Sequence, residues 1–260
     1  MQVDIVTLFP EYFQGPLATS ILARAQESGA LRVELTALRA YGEGAHHQVD
    51  DYPFGGGAGM VLMPGPLFQA VEEVRARCAR EGLAPRVILL SPQGKRFDQA
   101  EAARLAREPS VVLICGHYKD VDERVRAALV EEELSVGDFV LTGGEPAAAA
   151  VVDAVARLLP GVLGDEESYR TDSFFQGILD CPYYTRPREF RGLAVPELLI
   201  SGDHEKIRRW RRREALRRTL ERRPDLLAEC VLAREDEELL RELRQETNAG
   251  GAGGGNHGEA

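Results

Sequence analysis

The chain has 260 residues, of which 44% are hydrophobic and 28% charged, so it can bury the core of one large domain or two ordinary ones without disulfides or structural metal. Its net charge of −10 excludes a uniformly basic nucleic-acid binder, and its most apolar stretch, Pro146 to Gly164, is interrupted by Asp153, Arg157 and Pro160, which excludes a membrane span. Asp4, Pro10 and Glu11 stand where a secretory leader needs basic residues before an apolar run, so a cytoplasmic protein with no membrane partner is expected.

In chain order, apolar runs of strand length fall at Val3–Phe9, Leu31–Leu38, Arg86–Leu90, Val111–Cys115 and Phe139–Thr142. Between them lie helical patterns near Gly15–Ser28, Pro66–Glu81, Asp98–Arg107 and Val121–Glu131, followed by a longer one at Glu145–Leu159. This alternation predicts an α/β domain with a mainly parallel sheet over residues 1–160. After Pro160-Gly161 the pattern changes, which places a linker at 161–171 and a helical domain at 172–246. Arg234–Glu246 reads as an acidic, exposed amphipathic helix, and the Gly-rich tail 247–260 as disordered.

Cys78, Cys115, Cys181 and Cys230 lack the paired spacing of zinc sites and read as reduced thiols. Cys181 could serve covalent methylation of a pyrimidine, but no partner base is suggested nearby, and the buried-thiol reading is preferred. His46 and His47 have no third ligand at suitable spacing, so no metal residues are assigned. Phosphate fingerprints fail as well. Gly42-x-Gly44 is followed by His47 and Gly55-x-Gly57 by Met60 where a third glycine should stand, and no P-loop pattern occurs.

Three glycine-containing loops remain: Ser91-Pro92-Gln93-Gly94, Cys115-Gly116-His117-Tyr118, and Ser135 to Glu145. Small residues after strands let backbone groups approach a flat ligand, although tight turns also need glycine. A basic segment stands out in the acidic chain, since Asp203 to Arg223 holds ten Lys or Arg against four acids. It reads either as a solvated helix or as a phosphate-binding surface, and the local excess favours the second.

Leu8-Phe9-Pro10-Glu11, Val49-Asp50-Asp51-Tyr52-Pro53-Phe54-Gly55-Gly56-Gly57 and Arg223-Pro224-Asp225-Leu226-Leu227, taken with the three loops, resemble the bacterial tRNA (guanine-N1)-methyltransferase family, TrmD, of the SPOUT class. The resemblance covers about residues 1–232 and implies a SPOUT sheet with a deep trefoil knot, a small helical tRNA-binding domain and a homodimer. The implied reaction moves methyl from S-adenosylmethionine to N1 of the guanosine at tRNA position 37, just 3′ of the anticodon. By the same resemblance the donor is held, in a bent form, by Leu90, Ser91, Pro92, Gln93, Gly94, Gly116, His117, Tyr118, Val136, Gly137, Phe139, Leu141, Gly143 and Gly144. Gly55, Gly56, Gly57, Arg186, His204, Arg208, Arg209 and Arg212 would face the tRNA, and Mg²⁺ is a candidate second cofactor without an assigned site. The chain departs from the family pattern at Lys119-Asp120, where Glu-Gly is usual, at Tyr183 for histidine, at Pro146-Ala147 for Leu-Pro, and at Asp203, often asparagine.

N1 of guanine becomes strongly nucleophilic only as its proton leaves and negative charge spreads to O6, which calls for a carboxylate at N1 and a cation at O6. The matching family positions are Asp172 and Arg157. Each has a plainer reading. Arg157 could pair with Asp153 one helical turn away, and Asp172 could be a helix N-cap, although Ser173 and Gln176 make the better capping box. The rival functions are another SPOUT RNA methyltransferase, acting on a ribose or another base, and a non-catalytic RNA-binding factor.

Overall fold

A computed structural model of the chain describes residues 1–164 and 169–251, the side chains of 247–251 excepted. They divide into two compact units, Met1–Glu166 and Glu167–Ala260. The division falls within the expected linker, whose residues 165–168 lie outside the described residues, as does the expected tail beyond Gly251.

The first unit is built on a five-stranded sheet of order β2-β1-β6-β5-β8, where β1 is Gln2–Thr7, β2 Arg32–Ala37, β5 Arg86–Arg96, β6 Ser110–Cys115 and β8 Glu132–Ser135. Every pairing in it is parallel. Parallel strands must be joined by crossovers, and helices that cover both faces leave the central strands apolar on each side. Side-chain alternation sorts the core accordingly. Val3, Ile5, Ile88, Leu90, Val111 and Leu113 belong to one buried cluster, and Val6, Val87, Leu89, Val112 and Ile114 to the other. The first cluster is closed by α2 (Ser20–Glu27), α4 (Gln99–Leu105) and α6 (Glu145–Ala156), and the second by α3 (Pro64–Arg80) and α5 (Glu123–Ala128). A short α1 (Gln14–Leu17) precedes α2, because the expected helix near Gly15–Ser28 breaks at Ala18-Thr19. A small sheet sits beside this frame, with β3 (Asp50–Asp51) antiparallel to β4 (Val61–Leu62) and β4 parallel to β7 (Asp120–Val121).

The fifth strand is not where hydrophobicity places it. Phe139–Thr142, expected as a strand, is an exposed loop, and the edge of the sheet is the acidic Glu132–Ser135. That strand tolerates two glutamates because Arg104 pairs with Glu132 and Arg126 with Glu133. β5 also runs on past the expected end at Leu90: Leu90 and Lys95 are both registered to Leu134, so Ser91–Gly94 bulges out of the strand between them.

The second unit is mainly helical, as expected from the sequence, with α7 (His204–Arg222), α8 (Pro224–Glu229) and α9 (Arg234–Gly251). Its one described sheet is the hairpin β9 (Glu189–Phe190) and β10 (Leu193–Ala194). Asp203 caps α7 by accepting from Lys206 N–H at 3.1 Å. The core joins Ala215 and Leu216 of α7 to Leu239, Leu240 and Leu243 of α9, with Ile178 and Cys181. The amphipathic helix near Arg234–Glu246 is therefore packed, not free-standing, and it runs past Thr247, where the sequence suggests an irregular tail. Among the described residues no helix is long and apolar enough to cross a membrane.

Candidate active site

Of the three expected loops, Ser91–Gly94 is the bulge within β5 that begins where its pairing with β6 ends, and the other two leave the carboxyl ends of β6 and β8, the edge of a parallel sheet where ligands bind. They are stitched together by backbone: His117 and Gly143 form an isolated bridge, and Gly144 N–H donates to Gly116 O at 2.8 Å. Two glycines are fixed by close approach. A Cβ on Gly94 would fall 2.4 Å from Leu134 N, and one on Gly144 would fall 2.7 Å from Cys115 Cα. The rim is apolar yet uncovered, with Tyr118, Phe139, Val140 and Leu141 exposed, and Phe139 folded over Gly137. Beneath it lies the buried carboxylate of Glu145, which accepts from Thr7 Oγ1 at 2.7 Å. Nδ1 of His117 is buried and, among the described residues, has no hydrogen-bond partner. Uncovered apolar surface and an orphaned polar atom suit a flat heterocycle with hydrogen-bonding edges, such as that of a nucleoside.

Lys119-Asp120 has a structural role here. Asp120 accepts from Arg126 at 2.7 Å and from Gln93 Nε2 at 3.4 Å, which ties the second loop to the first, and Lys119 N–H donates to Met60 O. Burial lowers the affinity of Arg126 for its proton, but Asp120 and Glu133 outweigh it and the pKa is raised. Gly55, Gly56 and Gly57, all with positive φ, hang between β3 and β4 with Phe54 fully exposed. The β4–β7 pairing brings that hairpin beside Tyr118, whose hydroxyl pKa is raised by burial and by Asp50. Among the described residues no cluster of His, Cys, Asp or Glu is placed to hold a metal.

Arg157 follows the last turn of α6 in the first unit, and Asp172 belongs to the second; neither residue is without a partner. Asp172 lines a cleft of about 990 Å³ within the second unit, together with Arg186, His204, Arg208 and Arg212. The Ser173–Gln176 capping box does not form, because the segment is a turn closed by Phe174 at φ 73° and Gly177 at φ 78°. Ser173 Oγ instead accepts from Asp180 N–H. Cys181 also faces the cleft, but burial and then Asp180 push its thiol pKa up, against the thiolate a nucleophile needs.

The basic segment carries most of its own counter-charge, which sequence reasoning missed. Arg212 makes a bidentate pair with Asp236 at 2.7 and 2.8 Å, and Arg208 reaches Glu205 at 2.8 Å and Glu235 at 3.2 Å. Arg209 lies 3.6 Å from Glu242, while Arg213 and Arg217 share Glu214 and Glu246. Acidic residues spaced along α9 were the available signal, since six of them stand there with charge opposite to that of the arginines of α7.

The family profile described as tRNA (Guanine-1)-methyltransferase TrmD matches residues 1–229. Proteins named tRNA (guanine-N(1)-)-methyltransferase are similar over nearly the whole chain. That of Pelotomaculum thermopropionicum is 57% identical over 95% of this chain and 98% of its own, and that of Moorella thermoacetica 58% over 94% and 96%. The Bacillus subtilis protein is 51% identical over 95% of this chain and 100% of its own.

Proposed function

The chain belongs to the TrmD family of tRNA (guanine-1)-methyltransferases, SPOUT-class α/β enzymes that methylate tRNA, and from that premise we propose how its residues divide the work. The target is N1 of the guanosine at position 37, and S-adenosylmethionine is the donor. The observation that carries this reading is the convergence of three loops at the carboxyl edge of the sheet, under an uncovered apolar rim, in a chain this close to named relatives. The family also implies the trefoil knot, a homodimer, and a cytoplasmic place among the tRNAs.

Leu90, Ser91–Gly94, Gly116–Tyr118, Val136, Gly137, Phe139, Leu141, Gly143 and Gly144 would hold the donor, which supplies a methyl group made electrophilic by its sulfonium. Asp172 accepts the N1 proton of guanine, and Arg157 faces O6, where negative charge gathers. Gly55–Gly57 and the second unit, including Arg186 and His204, take the RNA. Among the described residues no set of ligands is placed for Mg²⁺, and it is given no step.

The test is to incubate the protein with an unmodified tRNA transcript and isotopically labelled S-adenosylmethionine, then digest the RNA and analyse it by mass spectrometry. N1-methylguanosine at position 37 is expected, and a ribose methyl or another base would overturn the assignment. Asp172→Asn should slow single turnover by about 10²–10⁴-fold, the usual worth of a general base, with tRNA affinity retained.

A further inference from the structure

One guanidinium of α5 bonds through each of its three nitrogens. Arg126 Nη2 donates to Asp120 Oδ1 at 2.7 Å, Nε to both oxygens of Glu133 at 3.2 Å, and Nη1 to Glu123 at 3.3 Å. Its side chain is 10% exposed, against 35% for Asp120 and 25% for Glu133, so water competes little for those two pairs. Glu123 is 81% exposed and adds little.

The two enclosed partners lead to all three loops. Asp120 follows the second, two residues after Tyr118, and its other oxygen accepts from Gln93 Nε2 of the first at 3.4 Å. Glu133 stands on β8, two residues before Ser135 opens the third, and its backbone walls the first: a Cβ on Gly94 would fall 2.5 Å from Glu133 C. The bridge between His117 and Gly143 joins the second loop to the third, and the side chains of Arg126 and Asp120 bring in the first. Glycine, usual in the family at position 120, has no side chain to accept from either Arg126 or Gln93, so this strap belongs to the sequence of this chain.

We propose that Arg126, acting through Asp120 and Glu133, is a positioning residue that holds the three loops in register before S-adenosylmethionine arrives. Loops that are out of register part of the time bind with a dissociation constant raised by the inverse of their competent fraction. The bonds of Arg126 move that ordering cost from binding to folding. This deepens the S-adenosylmethionine reading and rests on it.

The experiment compares wild type, Asp120→Ala, Arg126→Gln and a charge-neutral control, Arg75→Gln/Glu131→Gln, which removes an ion pair of the same unit that reaches none of the loops. Calorimetry measures S-adenosylmethionine binding to each full-length protein, and amide hydrogen exchange is followed without ligand. Arg126→Gln should raise the dissociation constant about 10- to 100-fold and Asp120→Ala about 3- to 10-fold, as the competent fraction falls. In both, Gly144 N–H, which donates to Gly116 O, should exchange at least about 10-fold faster than in wild type, while the amides shared by β1 and β6 keep their protection. With tRNA present, KM for S-adenosylmethionine should rise while kcat changes by less than about twofold, because bound donor restores the register. A purely structural role would instead speed exchange across the whole sheet and give no such split. Wild type that binds no S-adenosylmethionine would refute the donor reading itself. Wild type that binds, with variants that bind as tightly and keep Gly144 protected, or with a control that loses as much, would overturn only the positioning role. If Arg126→Gln does not fold, Asp120→Ala decides between these outcomes.

Discussion

Single side chains in this protein are often fixed by what surrounds them, not by what they will bind. A Cβ on Gly143 would fall 2.3 Å from Glu145 Oε2 and 2.6 Å from His117 Nδ1, so a larger residue there requires both side chains to move. Asp4 is a structural counterpart. It is fully buried on β1, accepts from Gln2 Nε2 at 2.9 Å and from Cys78 Sγ, and pairs with Arg77 of α3. Removing one partner of a buried pair strands the other charge, whereas removing both can be nearly neutral. Arg77→Met should therefore cost about 3–5 kcal/mol in urea denaturation. Asp4→Leu/Arg77→Met should recover most of it, and an equal loss in the double variant would show that the pair is not what holds β1 to α3.

At the scale of elements, the sheet and its helices were legible because they bury continuous apolar runs and period-3.6 apolar patterns, as Val111–Cys115 and Pro64–Arg80 respectively do. The exceptions share a cause. Glu132–Ser135 reads as polar because its neutralising arginines come from α4 and α5, and Phe139–Leu141 reads as a strand because its apolar side chains, exposed on a loop, follow the same pattern as ones that enter a core. The loops at the carboxyl edge were legible through motif and glycine, whereas the pairing of α7 with α9 was not, since Arg212 and Asp236 meet only after the chain has turned back. That pairing predicts a pH dependence. The Arg212 guanidinium lowers the pKa of Asp236 below its ordinary 3.8, so its stabilisation is complete above that value and disappears as pH falls through the lowered one. Thermal melts between pH 5 and pH 2, at about constant ionic strength, should show this loss. Asp236→Asn should remove that share of the dependence and cost about 1.5–3 kcal/mol at neutral pH, the worth of hydrogen bonds to a charged group.

For the whole molecule, Asp172 and Arg157 fall in separate compact units, and the homodimer implied by the family would let the carboxylate of one chain serve the cofactor loops of its partner. Mixing tests this. Chains carrying Asp172→Ala and Gly143→Val, each inactive as a homodimer, are co-expressed in equal amounts. If Asp172 acts across the dimer, about half of the dimers are mixed and about a quarter of all sites, at most, regain both an intact pocket and an intact base. Folded mixed dimers no more active than either parent would exclude a shared site. The net charge of −10 and the ion-pair ladder between α7 and α9 together shape how RNA is met before any contact forms. Paired charges cancel within a few ångströms, and solvent ions damp what is left beyond about 8 Å. A distant polyanion thus feels mild repulsion in place of a pull. Such a surface gives up electrostatically steered encounter, so the pace at which RNA is met is left to unaided diffusion.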